Sequence, residues 1–111
     1  MIHEMRLNKE PFEKIEKGTK TIELRLYDEK RSLIKENDII EFTNREDDRK
    51  LKTKVIKLHK YNSFEELYKH FNKIELGYEE NEIANPSDME KYYSKEEQEK
   101  YGVVGIEIKI I

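Results

Sequence analysis

Apolar and polar residues change period several times along these 111 residues, and the changes mark the elements. Residues 2–7 alternate as a short strand, with Ile2, Glu4 and Arg6 on one side and His3, Met5 and Leu7 on the other. Asn8 is placed to cap a helix that has Pro11 in its first turn, Phe12 and Ile15 as its apolar stripe, and Gly18 as its stop. Residues 20–27 form a second strand: Ile22, Leu24 and Leu26 share one face, and Thr21, Glu23, Arg25 and Tyr27 the other. Residues 28–37 are charged and contain a helical turn, and Asn37-Asp38 signals a tight turn. A strand over Ile39–Thr43, a hairpin loop over Asn44–Asp48 and a long strand over 49–61 follow. The apolar positions of the long strand are Leu51, Val55, Ile56 and Leu58. They change parity between 55 and 56, which predicts a bulge or a bend.

Asn62 or Ser63 caps the clearest helix. With Ser63 as the cap, Glu66 stands three residues on, as in a capping box, and Phe64, Leu67, Tyr68 and Phe71 follow helical spacing. Residues 74–86 read as loop, broken by Gly77 and Asn85-Pro86. Ser87–Tyr93 and Ser94–Tyr101 read as two short helices, each with an acid three residues after its serine. Gly102 stops the second, and Val103–Ile111 is a closing strand with Val104, Ile106, Ile108 and Ile110 on one face. Five strands, mostly joined by hairpins or short helices, predict an α+β chain forming one small mixed barrel over 1–111. The repeated helical crossovers of a parallel doubly wound sheet are missing.

Charge adds a second pattern. Charged residues make up 42% of the chain, but apolar residues still recur at regular spacing, so a folded domain with a solvated surface is expected. Residues 1–78 carry 18 Lys and Arg against 16 Asp and Glu, whereas residues 79–100 carry 3 against 8. The body is slightly basic and one late segment is acidic, which argues against tight binding to duplex DNA. That acidic segment reads either as a solvated helix pair or as a lid that keeps long polyanions from a cleft. With no cysteine, disulfides and thiolate chemistry are excluded, and the three histidines have no metal-binding spacing. No metal or cofactor is expected. The chain has no apolar leader or membrane-length run, so a cytoplasmic protein with no membrane partner is expected.

The candidate chemistry lies on the second strand. Lys20, Glu23 and Arg25 are three ionisable groups beside core aliphatics, an arrangement that is costly unless they pair or face a ligand. Glu23 and Arg25 point the same way, roughly 6–7 Å apart along the strand. They form either an ordinary solvent face or the wall of a cleft. In the cleft reading, the arginine forks onto phosphate and the glutamate accepts a base amino group or a proton. Tyr27 or Tyr93 would stack on a base.

The same residues carry a resemblance. Gly18-x-Lys20-x-x-Glu23-x-Arg25 is similar to the G-x-K-x-x-E-x-R signature of the ASCH domain, a small PUA-like β-barrel. Asn37-Asp38-Ile39-Ile40-Glu41-Phe42 resembles that family's "G-D-x-I-x-F" strand. Phe64-Glu65-Glu66-Leu67, Tyr92-Tyr93-Ser94-x-Glu96 and Tyr101-Gly102-Val103-Val104-Gly105-Ile106 resemble further family segments. The resemblance implies a five- to six-stranded barrel with flanking helices, and a cleft binding RNA, a nucleoside or a nucleotide through Lys20, Glu23, Arg25, Tyr27, Tyr93 and Glu96. One branch of the family hydrolyses N4-acetylcytidine with a lysine, a threonine and a glutamate. Lys20 matches its lysine, Glu23 stands where it has threonine, and Glu96 or Glu97 would supply the later carboxylate. A hydrolase of modified nucleosides or a ribonuclease, with Lys20 and Glu23 catalytic, is therefore the alternative expectation.

Overall fold

A computed structural model describes residues 1–111. Its strands are β1 (Ile2–Leu7), β2 (Ile22–Leu26), β3 (Ile39–Asn44), β4 (Lys50–Tyr61) and β5 (Val103–Ile110). Its α-helices are α1 (Lys9–Lys17), α2 (Phe64–Tyr68) and α3 (Lys95–Tyr101), with short 3-10 turns at Arg31–Leu33 and Pro86–Lys91. The strands form one curled sheet in the order β1-β3-β4-β5-β2. Only β1 and β3 run parallel, since α1 and β2 intervene between them; the other pairs are antiparallel. This is the PUA-like α+β half-barrel, with five strands. β1 and β2 are its two edges, and they do not pair with each other.

The sheet buries apolar residues on both faces. On one face Met5, Phe42, Val55, Val104, Ile106 and Ile108 pack with Phe12 and Ile15 of α1. On the other, Ile22, Leu24, Leu26 and Val103 pack with Phe64 and Leu67 of α2, Leu76 and Met89. β2 is thus covered on both sides, and its Glu23–Arg25–Tyr27 face is the one turned toward the α1 core.

Local signals explain most boundaries. Gly18 takes a left-handed φ of 85° and its N–H closes α1 on the Ile15 carbonyl. β4 has its register shift between Val55 and Lys57, and the displaced Ile56 is exposed. α2 is shorter than its apolar spacing predicts. The N–H groups of Lys69 and His70 bond three residues back rather than four, so the helix tightens and ends while Phe71 still packs against the core. The expected helix over Ser87–Tyr93 is a 3-10 turn, opened by Pro86 and capped by the Asn85 side chain on the Ser87 N–H.

Candidate functional site

The site lies where the sheet fails to close. Lys20 precedes β2, so strand alternation does not govern it, and its side chain reaches the same region as Glu23. Its ammonium donates to the carbonyls of Ile22 and Leu76, each at 2.9 Å, and stands 3.5 Å from Glu23 Oε1. Glu23 Oε2 accepts from Arg25 Nε at 2.8 Å. Arg25 Nη2 then reaches the Arg6 carbonyl on the β1 edge at 3.4 Å. A row of cation, anion and cation so bridges the gap between the two edge strands. Its members are nearly buried, with side-chain exposures of 6% for Lys20 and Glu23 and 12% for Arg25.

Each charge is held by its neighbours. Burial pushes the Lys20 ammonium below its ordinary range, against the pull of Glu23. Burial acts on Arg25 the same way, but the Glu23 carboxylate and the Tyr93 hydroxyl outweigh it and keep the guanidinium above its usual value. Burial raises the Tyr93 phenol, with Arg25 opposing. Three oxygens surround Lys20 Nζ, a set that suits an ammonium donating all its protons. Lys20 in this arrangement orients Glu23 and ties the chain at Leu76 to β2.

An open cleft of about 580 Å³ lies against this row. Leu24, Leu76 and Met89 give it apolar lining, and Arg6, Arg45 and Lys91 add cations to its walls. One wall is a hydroxyl chain: Tyr68 Oη lies 2.9 Å from Tyr78 Oη, which donates to Asp88 Oδ2 at 2.8 Å. Burial raises both phenols above their ordinary value, Tyr78 by far the more. Tyr93 closes the wall and stacks on Phe64, ring centroids 5.9 Å apart.

The cleft therefore gathers Lys20, Glu23, Arg25 and Tyr93 of the expected residues. The other two are elsewhere. Tyr27 packs against the α1-side core with Lys60 Nζ 4.5 Å above its ring. Glu96 is exposed on α3 outside the cleft, and Glu97 is held in a capping box with Ser94. The side chain that α3 turns inward is Gln98, which accepts from the Phe64 N–H at 3.1 Å. Arg6, Arg45, Tyr78 and Asp88 are additions. Nothing in their local pattern separates them from ordinary surface residues, because they meet only when the β1 edge and the 74–93 segment come together. No group of three His, Asp or Glu side chains is arranged to hold a metal ion.

The ASCH domain family model matches residues 5–111. The chain belongs to the ASCH domain family. The crystal structure of hypothetical protein PH0355 is similar at 39% identity, with a TM-score of 0.80 and full coverage of both chains. The solution structure of protein PF0455 from Pyrococcus furiosus is similar at 36% identity, with a TM-score of 0.72, covering all of this chain and 98% of the other. No curated protein matches. In this ASCH domain Lys20, Glu23 and Arg25 fall at the sheet opening. Gly18 ends α1, Lys20 and Glu23 are paired with each other, and Arg25, bonded to Glu23 and to the Arg6 carbonyl, lines the cleft.

Proposed function

We propose that the cleft binds RNA or a nucleotide, with Arg25 as the principal anion contact and Tyr93 as the surface against which a base packs. The observation that carries this reading is the Lys20–Glu23–Arg25 row lining an open cleft in a member of a PUA-like family generally linked to RNA binding. Glu23 spends one oxygen on Arg25 and the other near Lys20, so it fixes the guanidinium and leaves Arg25 donors for a phosphate. Arg6, Arg45 and Lys91 add positive charge to the cleft walls, while Glu10, Glu82 and Asp88 limit the cleft's attraction for long polyanions. A short single strand or a nucleoside phosphate suits that balance better than a duplex. The chain has no helix long and apolar enough to cross a membrane, and no membrane partner is proposed.

The test is titration of nucleoside monophosphates and of RNA of about four nucleotides. Arg25→Met should weaken binding by roughly tenfold or more, the scale of a lost charged hydrogen bond. Equal affinity in wild type and variant would end this reading. A second reading, hydrolysis of a modified nucleoside such as N4-acetylcytidine or cleavage of RNA, draws on the burial that lowers the Lys20 ammonium. It requires acetate release or RNA cleavage by the wild type, and loss of that activity in Lys20→Met; an inactive wild type removes it.

A further inference from the structure

The outer face of β4 carries Lys50, Lys52, Lys54 and Lys57, and Lys109 of β5 extends the group sideways. These residues are exposed and lie on the face opposite Val55, Ile106 and Ile108 of the α1-side core. α2 covers only the other end of this face, where Gly105 meets Leu67 and Phe71. Three carboxylates share the bare half, and two of them, Glu41 and Glu107, are engaged with partners. Glu41 holds Lys50 at 3.5 Å and lies across from Lys52; Glu107 lies across from Lys57 but bonds His59 at 2.9 Å; Glu4 flanks Glu41 on β1. Lys54 and Lys109 are directly opposite each other in the ladder, and neither forms an ion pair. Like charges in register destabilise a sheet. The fold accepts that repulsion with no internal partner to relieve it.

We propose that this face is a second binding surface, distinct from the cleft, that holds the phosphate backbone of a single-stranded RNA. Alternate residues along a strand repeat at about 6.6 Å. The row Lys50–Lys52–Lys54 therefore offers cations at a spacing close to that of successive phosphates in an extended strand. The same face continues past the bulge into rings: His59 packs edge-on against Phe71 at 5.0 Å, and Tyr61 stacks on His70 at 4.8 Å. Cations leading to half-exposed aromatics suit a chain with both phosphates and bases. An acidic protein segment would use only the lysines. The surface does not need the cleft, because Glu23 and Arg25 lie on the opposite face of the sheet.

The experiment uses the full chain and three proteins: wild type, Lys50→Gln/Lys52→Gln/Lys54→Gln, and Arg25→Met. Each is titrated with a single-stranded oligouridine of about 15 nucleotides and with uridine monophosphate, across a salt series. Removing three phosphate contacts should reduce the logarithmic salt slope by about 2. On a fourfold rise in salt the wild type should then lose about 20-fold more affinity than the triple variant. Mononucleotide binding by the triple variant should match wild type, and Arg25→Met should keep the steep slope on the long strand. An unchanged slope in the triple variant overturns the proposal, even if the cleft binds as proposed. So does an RNA-free dimer that the triple variant abolishes, since the face would then serve the acidic 79–100 segment of a second copy. Loss of mononucleotide binding in Arg25→Met with the lysine effect absent supports the cleft alone.

Discussion

Tyr78 stands in the cleft wall between two partners, accepting a hydrogen bond from Tyr68 and donating to Asp88. Burial, with Tyr68 and Asp88 adding to it, keeps the phenol protonated well beyond its usual range. An unfolded tyrosine titrates near pH ~10. The folded chain thus holds this proton longer than the unfolded chain does, so the contribution is whole below about pH 10 and falls as pH rises above it. Tyr78→Phe should cost about 1 kcal/mol at neutral pH. The gap between wild type and variant should shrink on alkaline titration, as read by urea unfolding with tyrosinate absorbance as a second probe. A gap that stays constant above pH ~10 would show that Tyr78 is not held neutral. At this scale the sequence was legible where strand parity applies: Glu23 and Arg25 share a face because they are two apart. Tyr27 shares that face too, yet it lies one step farther along, over the core and under Lys60. The pairing of Tyr78 with Asp88 depends on how a loop folds back, which no period encodes.

The element that completes the cleft is the segment after α2. Lys20 joins it to β2 through the Leu76 carbonyl, and Gly77 follows with a φ of 104°. A Cβ at Gly77 would stand 3.1 Å from Lys20 Cδ and 3.3 Å from Nζ, so the glycine serves both the turn and the close approach. Gly18 also has a positive φ, 85°, but a Cβ there would meet nothing within 4 Å. The two glycines form a controlled comparison. Gly18→Ala should cost only the left-handed penalty of about 1–2 kcal/mol. Gly77→Ala should cost more and should also weaken nucleotide binding, because Lys20 must shift and Glu23 with it. Equal unfolding costs and unchanged binding would separate Lys20 from the cleft. The loop could be read from its breakers, and so could the β4 bulge from its change of parity. The early end of α2 could not. Its apolar spacing runs on to Phe71, which keeps its place in the core after the helix has stopped.

Across the whole molecule, two kinds of cohesion coexist. The sheet is held by continuous ladders and is covered on both faces over β2 and β5, whereas residues 74–93 join the core through Leu76 and Met89, with Tyr78 and Tyr93 packed against it, and are otherwise held by a few polar ties. Lys14 on α1 is the chief of these: it donates to the Gly77 carbonyl at 2.7 Å and lies 3.0 Å from Glu10, 3.5 Å from Glu79 and 4.0 Å from Glu82. Partial burial opposes its charge, but Glu10 and Glu79 prevail and hold the ammonium above its ordinary value. Lys73 adds bonds to the carbonyls of Glu80 and Glu82. The acidic composition of 79–100 thus acquires a structural use near its start, where its carboxylates anchor the cleft wall to a basic helix position. Neither half of that pairing stands out in the sequence, since Lys14 is one of many lysines and its partners lie more than sixty positions away. Regions with few buried apolar contacts open locally at lower free energy than the ladders around them. Lys14→Met should therefore speed amide hydrogen exchange through 74–93, roughly tenfold for about 1.4 kcal/mol of lost anchoring, and leave β4 and β5 protection nearly unchanged. Uniform acceleration across the sheet would mean that the wall and the sheet open together, and that Lys14 supports the whole fold instead of one side of the cleft.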